Sequence, residues 1–331
     1  MNTAVFSVST CLFCAAASFS HKAFAACTPE FPTLENLSLE SAELSPNHLY
    51  GFMWFSETVE LSEVKIKERL QTLAVDEAVL IKRPRLGVQA GVFRMGEKVF
   101  VVFRGTRDAA DYFDNAFVFP TPAQEAGLPG KVHTGFRKNF LAIWEDVRSA
   151  ALRLGAERHG AWVMGHSLGG ALAQFAAFNF VQQGVAVHGV FGSGVPLPGD
   201  SEYQRLYNEV LGEKTTVVGY ENDITPNVPP MAEAASAFAA AAAAPLKGVV
   251  LNLAQNMDYK QVGRWFHMSK EGTISHVEDL GAHQNNYYLK MRRDNATVGL
   301  PGVLLKDMRY VKDHYATVYL CAMREVVSRV P

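Results

Sequence analysis

A serine lies between two glycines in the run Gly165-His166-Ser167-Leu168-Gly169. Residues 161–164 before it are typical of a short buried strand, and residues 168–182 after it are apolar and alanine-rich, as in a helix. Because a G-x-S-x-G match arises by chance in about one chain in ten of this size, the flanking elements carry the argument. In a strand-turn-helix corner the small glycines allow close approach, and the serine projects from a strained turn. The sequence therefore predicts that Ser167 is a nucleophile.

A serine hydroxyl attacks a carbonyl only when a histidine removes its proton and a carboxylate orients that histidine. Asp223 lies three residues beyond the predicted strand 215–220, just past a strand's carboxyl end, where ligands bind in parallel sheets. Glu221 and Asp200 are competing carboxylates. Glu221 is closer to the strand, and Asp200 ends a proline-rich turn of the kind in which aspartate is common. Position in the loop favours Asp223.

Several histidines follow Asp223 and compete for the role of the base. They are His267, His276, His283 and His314. His314 precedes a segment that can form the final helix or strand, whereas His283 precedes a pair of tyrosines. Residue type and spacing alone leave His283 and His314 both open.

Strands and helices alternate along the rest of the chain. The predicted strands are 88–93, 98–103, 162–164, 185–191 and 215–220, and the predicted helices are 61–74, a segment from about 136 to a stop at Gly155, and 168–182. Strands separated by helices of this length indicate βαβ units. The fold class is therefore predicted to be α/β, with a mainly parallel sheet flanked by helices and with the site residues at the carboxyl ends of its strands.

The first twenty-five residues have the character of a secretory signal peptide. Residues 1–20 carry no charged side chain, and Ala23-Phe24-Ala25 has the small-x-small pattern of a cleavage site, although no basic residue precedes the apolar run. We therefore expect cleavage near Ala25 and a secreted, periplasmic or cell-envelope location. Cys27 and Cys321 then remain, either as a disulfide or as two separate thiols.

Composition narrows the classes of partner. The 331 residues are 48% hydrophobic and contain 31 Lys+Arg against 33 Asp+Glu, for a formal charge of −2. No basic cluster is long enough to neutralise a run of phosphates, which argues against nucleic acid. No His/Cys/carboxylate group has metal-ligand spacing, so neither a metal nor a cofactor is expected. We expect one domain over residues 26–331, with an alanine-rich insertion at about 231–250.

Ordered motifs along most of the remaining chain resemble the class 3 (fungal-type) triacylglycerol lipases. They are residues 101–106, 132–136, 165–173, 191–196, 222–230 and 259–264. The resemblance implies an α/β-hydrolase fold, with Asp223 as the acid and a base near the C-terminus. It therefore favours His314 over His283. It also implies that the backbone N–H groups of Thr106 and Leu168 form an oxyanion hole, and that His133 and Arg104 are structural.

The same resemblance implies that the segment after Thr106 is a lid over the site. Residues 107–119 alternate acidic with large apolar side chains, which suits either a flap that turns toward a lipid surface or a fixed surface helix. The alanine-rich residues 232–244 depart from the family pattern and are expected to be either an apolar wall of the substrate mouth or a helix packed elsewhere.

The combined expectation is a serine esterase that hydrolyses lipid esters of the triacylglycerol type through an acyl-enzyme. The same triad would serve a phospholipase A1 or a short-chain or aromatic esterase, because fold and triad do not set the substrate. A binding module that has kept the hydrolase fold without catalysis is the more distant alternative.

Overall fold

The computed structural model describes residues 45–73, 75–105, 119–241, 247–294 and 309–329. The predicted signal peptide, Cys27, Thr106 and the predicted lid up to residue 118 lie outside these ranges. The strands are β1 (Glu77–Arg83), β2 (Val88–Met95), β3 (Lys98–Phe103), β4 (Thr121–Pro122), β5 (Lys131–Val132), β6 (Ala161–His166), β7 (Val187–Ser193), β8 (Thr215–Tyr220), β9 (Arg264–Met268) and β10 (Ile274–His276).

Within the described residues an eight-stranded sheet runs in the order β1-β2-β3-β6-β7-β8-β9-β10. The strands from β3 to β9 are parallel neighbours, and antiparallel pairs complete the two edges. The predicted α/β class with a mainly parallel sheet is confirmed. The edge strands β1 and β10 were not predicted; β1 is only partly buried and lacks a clear alternation of apolar and polar residues.

The α-helices are α1 (Pro46–Thr58), α2 (Glu63–Gln71), α3 (Thr134–Leu141), α4 (Trp144–Arg153), α5 (Ala156–His159), α6 (Leu168–Gln182), α7 (Ser201–Leu211), α8 (Ala235–Ala241), α9 (Lys247–Asn256), α10 (Leu280–Asp294), α11 (Arg309–Lys312) and α12 (Ala316–Ser328). One predicted helix, from about residue 136 to Gly155, is divided into α3 and α4. The chain tightens at the junction, where the Ile143 N–H donates to the Phe140 carbonyl, three residues back.

Helices cover both faces of the sheet and fix the serine corner between them. Helix α6 is buried from Leu168 to Phe180, as expected for a helix that is apolar on all sides. Helix α1 packs its aromatic side chains against the opposite face, with Phe52 near the rings of Trp162 and Phe191. Each such aromatic side chain contributes roughly 1.5–3 kcal/mol by its burial. The strand that leads to Ser167 is thus held from both sides.

The first part of the alanine-rich segment is helical and buried. A short 3₁₀ turn precedes α8, and Phe238 of α8 packs edge-to-face on Tyr288 of α10 with ring centroids 4.9 Å apart. Residues 235–241 therefore form a helix packed on α10. Residues 242–244 lie outside the described ranges. Among the described helices, none combines the length and apolar character needed to span a membrane.

Candidate active site

Ser167 occupies a strained corner between β6 and α6. Its φ of 57° and ψ of −132° place a non-glycine residue at positive φ, which is sterically costly. The flanking glycines make the corner feasible. A Cβ on Gly165 would lie 2.3 Å from the Gly169 carbonyl, and a Cβ on Gly169 would lie 2.2 Å from the Phe103 oxygen. The predicted strand-turn-helix corner is confirmed.

His314 lies between Ser167 and Asp223. Its Nε2 is 2.8 Å from the Ser167 Oγ, and its Nδ1 is 2.9 Å from the Asp223 Oδ2. An ionised carboxylate only accepts hydrogen bonds, so Nδ1–H donates to Asp223 and Nε2 is left to accept the serine proton. The His314 side chain is 12% exposed, whereas the Asp223 side chain is fully covered.

Several donors hold the Asp223 carboxylate directly after β8. Besides His314, the Thr225 N–H donates to Oδ1 at 2.8 Å and the Tyr319 hydroxyl donates to Oδ2 at 2.6 Å. The Asn227 side chain also fixes the loop by donating to the Asp223 carbonyl at 3.0 Å. Bonds to a charged acceptor are among the stronger hydrogen bonds in proteins. They orient the carboxylate and offset the cost of burying it.

Tyr319 is a site residue that sequence reasoning missed. Its hydroxyl accepts the N–H of Tyr220 at 2.9 Å while it donates to Asp223, so one oxygen ties α12 to the end of β8. Burial, followed by the Asp223 charge, raises the pKa of Tyr319 well above its usual value, so the hydroxyl keeps its proton. Its place in the final helix gives no local signal, because the contact joins residues 96 positions apart.

His166 is a second residue whose place in the site was not predicted. Its ring lies against that of His314 with centroids 4.7 Å apart, and its Nδ1 is 3.1 Å from the Ser193 Oγ. Burial, and after it His314, lowers the pKa of His166 well below its usual value. A neutral ring therefore packs beside His314, where a second positive charge would oppose protonation of the base.

Gly194 leaves the space in which these groups meet. Its φ is +59°, and a Cβ there would lie 2.9 Å from the Asp223 Oδ2 and 3.1 Å from the Cε1 atoms of both His166 and His314. A larger residue at this position would push the base away from its carboxylate. The absence of a side chain at Gly194 therefore allows the base and its carboxylate to meet.

The competing residues have other tasks. Asp200 caps α7, because its carboxylate accepts the Tyr203 N–H. Glu221 accepts the Lys270 N–H at 2.6 Å. The ring of His283 lies 4.7 Å from that of Trp265 and 5.4 Å from that of His267. The structure thus places His314, not His283, at Ser167.

The residues expected to be structural have extensive backbone contacts. His133 accepts the N–H groups of Gly135 and Phe136 and so caps α3. Arg104 is buried and donates to the carbonyls of Gly87 and Gly105. Both contact patterns stabilise the loops that border the site.

Of the two predicted oxyanion-hole donors, the Leu168 N–H lies within the described residues. Leu168 is the first residue of α6, where a backbone N–H has no intrahelical partner and the helix dipole is positive. Thr106, the other predicted donor, lies outside the described residues. The arrangement of Ser167, His314 and Asp223 beside a helix N-terminus can attack a carbonyl carbon and stabilise the oxyanion that forms.

Comparison with known proteins finds similarity over part of the chain. Residues 100–233 match the family model for lipase (class 3). The chain is 29% identical to a lipase of Caenorhabditis elegans over 136 residues, 40% of this chain and 38% of the relative. It is 26% identical to a phospholipase A1-II of Oryza sativa subsp. japonica over 173 residues, 44% of each. The chain thus spans about two fifths of the length of these curated relatives.

Solved structures show the fold. Lipase II from Rhizopus niveus superposes with a TM-score of 0.55 at 18% identity, covering 71% of this chain and 86% of the other. The Rhizomucor miehei lipase propeptide complex gives 0.53 at 18% identity, covering 75% and 73%. At this identity the likeness concerns architecture, and the fold is the α/β-hydrolase fold.

Proposed function

We propose that the protein hydrolyses carboxylic esters of lipids, of the triacylglycerol type, and the match of residues 100–233 to the class 3 lipase family model supports this proposal. The observation that carries the proposal is the continuous hydrogen-bond chain from Asp223 through His314 to Ser167. In this proposal Ser167 is the nucleophile, His314 the base and Asp223 the residue that orients the base. No cofactor takes part.

In the first half-reaction the Ser167 Oγ attacks the ester carbonyl carbon while its proton passes to Nε2 of His314. Asp223 stabilises the imidazolium that forms, because Nδ1–H already donates to its carboxylate. The carbonyl oxygen becomes negative and accepts from the N–H of Leu168 and, as proposed from the sequence, from that of Thr106. The C–O bond to the alcohol then breaks, and the alcohol leaves with the proton from Nε2.

The second half-reaction repeats these steps with water. His314 takes a proton from the water, whose oxygen attacks the acyl carbon, and the Ser167 Oγ leaves with that proton. The products are a fatty acid and the free enzyme. Because Nε2 must be unprotonated to accept the serine proton, activity falls toward acidic pH. The neutral His166 beside the base adds no repulsion during this cycle.

A phospholipase A1 activity is the second candidate. The relative from Oryza sativa bears that name, and hydrolysis of the ester at the first glycerol carbon of a phospholipid uses the same attack. Short-chain and aromatic esters are further candidates by the same chemistry. The intact chain of Ser167, His314 and Asp223 argues against a binding module without catalysis.

The test compares triolein emulsion, phosphatidylcholine vesicles and p-nitrophenyl esters from butyrate to palmitate, with wild type, Ser167→Ala and the exposed-serine control Ser201→Ala. We expect wild type and the control to release fatty acid from triolein, and Ser167→Ala to retain less than about a thousandth of that rate. Faster release from phosphatidylcholine would support the second candidate. An inactive wild type, or an active Ser167→Ala, would overturn the proposal.

Export and lipid contact complete the proposal. Cys321 forms a disulfide whose other cysteine lies outside the described residues, which supports an oxidising compartment and the predicted signal peptide. We propose Cys27 as its partner. Contact with a lipid interface is proposed from the amphipathic sequence 107–119, and a rate that rises steeply when the substrate forms an interface would support it.

A further inference from the structure

A carboxyl group that the triad does not use lies beside the serine corner. Glu60 follows α1, and its carboxylate accepts the N–H of Gly105. A Cβ built on Gly105 would lie 3.2 Å from the Glu60 Oε1 and 3.1 Å from the Ser167 Cβ. The Glu60 carboxyl and the nucleophile therefore border the same small space, separated by no more than the sum of these distances. Glycine at position 105 is what lets them approach.

Charged groups surround Glu60 from each element packed on it. Glu57, one turn earlier, is itself paired with Arg69 of α2. Arg104 comes from the end of β3, and its guanidinium also binds the carbonyls of Gly87 and Gly105. On the serine side stand Ser167 and its base His314. These neighbours cover most of the Glu60 side chain.

The balance of these influences keeps the proton on Glu60. The pKa of Glu60 is raised from its usual 4.5 to about 8. Burial is the largest cause, and the negative charge of Glu57 is the second. The Arg104 charge and the Gly105 N–H lower it by less. At neutral pH the group beside the serine corner is therefore mainly an uncharged carboxylic acid, and it becomes a carboxylate only in alkaline solution.

A negative charge at this place opposes the proposed reaction. The oxyanion forms at the Leu168 N–H, directly after Ser167, and the Glu60 Oε1 lies no farther from the Ser167 Cβ than the sum of the 3.2 and 3.1 Å distances across Gly105. With an effective dielectric constant of about 20, two like charges about 7 Å apart repel enough to slow such a step roughly 30- to 100-fold. An uncharged carboxyl carries no such penalty.

We propose that Glu60 is a further residue of the active site, one whose carboxyl must be protonated for the serine to form its oxyanion. The inference rests on the proposed ester hydrolysis and extends it. Glu60 acts through charge and does not exchange protons with the substrate. Activity therefore has an acid limb set by His314 and an alkaline limb set by Glu60.

The test is the pH dependence of kcat/KM for p-nitrophenyl butyrate from pH 6 to 10, with the rate of Ser167→Ala subtracted. The full-length wild type is compared with Glu60→Gln and with the control Glu63→Gln, an exposed carboxyl of α2. We expect wild type and the control to fall about 30- to 100-fold with a midpoint near pH 8. Glu60→Gln, compared with its own rate at pH 6.5, shows no such fall.

A wild-type rate that stays flat to pH 10 would overturn the inference, as would an unchanged alkaline limb in Glu60→Gln. A folded Glu60→Gln without activity at any pH would also overturn it, since glutamine mimics the uncharged form. If this variant does not fold, Glu57→Gln replaces it: the limb must move to lower pH because Glu57 raises the pKa of Glu60. An unmoved limb contradicts the inference. A wild type without esterase activity at pH 6.5 overturns the proposed function, and this inference with it.

Discussion

Two histidines that follow Asp223 have contrasting surroundings. His314 is held between the Ser167 hydroxyl and the buried Asp223 carboxylate. His283 lies against Trp265 and His267. Burial, followed by the charge of His267, lowers the pKa of His283 to about 4. Burial among rings without an anionic partner disfavours the charged form of His283, whereas His314 has a carboxylate beside Nδ1 that can stabilise a positive charge formed during a reaction.

The largest expected effect is on the rate, and it tests the difference between His314 and His283 directly. His314→Ala should lower kcat/KM for p-nitrophenyl butyrate by about 10⁴-fold or more, because Ser167 then has no base. His283→Ala should stay within about threefold of wild type at pH 7.5. Both variants are checked for folding by circular dichroism before the rates are compared. Equal losses in the two variants, or a greater loss in His283→Ala, would reverse the assignment of the base.

The positions of the nucleophile and of the carboxylate could be predicted from local sequence, whereas the base could not. Helix α6 and strand β8 begin and end where the apolar runs predict, so the positions of Ser167 and Asp223 followed from their flanking elements. The choice of His314 came from the family resemblance. Spacing along the chain does not reveal which histidine a loop brings back to the serine, since His314 and Ser167 are 147 positions apart.

The parts that could not be predicted depend on how distant elements dock. Tyr319 reaches Asp223 because α12 lies beside the end of β8. Glu60 reaches the serine corner because it follows α1 and its carboxylate accepts the Gly105 N–H. Neither residue lies in a motif that points to a site. Thr106 and the lid segment lie outside the described residues, so the second oxyanion-hole donor and the lid remain predictions from the sequence.

A smaller effect sharpens the role of the carboxylate. Tyr319→Phe removes the hydroxyl that donates to the Asp223 Oδ2. A hydrogen bond to a charged group contributes roughly 1.5–3 kcal/mol, so kcat/KM should fall roughly 4- to 13-fold if half of that contribution orients the base. The acid limb of the pH profile should also shift, because the carboxylate that stabilises the imidazolium is less well held.

Tyr207→Phe is the matched control for this change. It also deletes a buried tyrosine hydroxyl, one that forms a hydrogen bond with the Thr215 Oγ1 at 2.9 Å. We expect it to lower the melting temperature and leave the acid limb in place. If Tyr319→Phe likewise changes only the melting temperature, the hydroxyl has a structural role and does not position Asp223.

The smallest effect concerns the other histidine and appears in stability. Because the pKa of His283 is about 4 in the folded chain and about 6.5 when exposed, the neutral form is favoured on folding. The neutral form of His283 makes its full contribution to the free energy of unfolding above pH 6.5, and this contribution is lost as the pH falls from 6.5 toward 4. Partial exposure reduces the loss to on the order of 2 kcal/mol. His283→Gln, which cannot be protonated, should therefore lose less stability than wild type between pH 7 and pH 4.5.

Urea unfolding at these two pH values measures the difference, with the exposed His276→Gln as control. Wild type and the control should show the same decline in the free energy of unfolding, and His283→Gln a shallower one. An equal decline in all three would mean that His283 accepts its proton as readily in the folded chain as in the unfolded one. The contrast with His314 would then rest on distance from Ser167 alone, because the aromatic surroundings of His283 would impose no electrostatic cost.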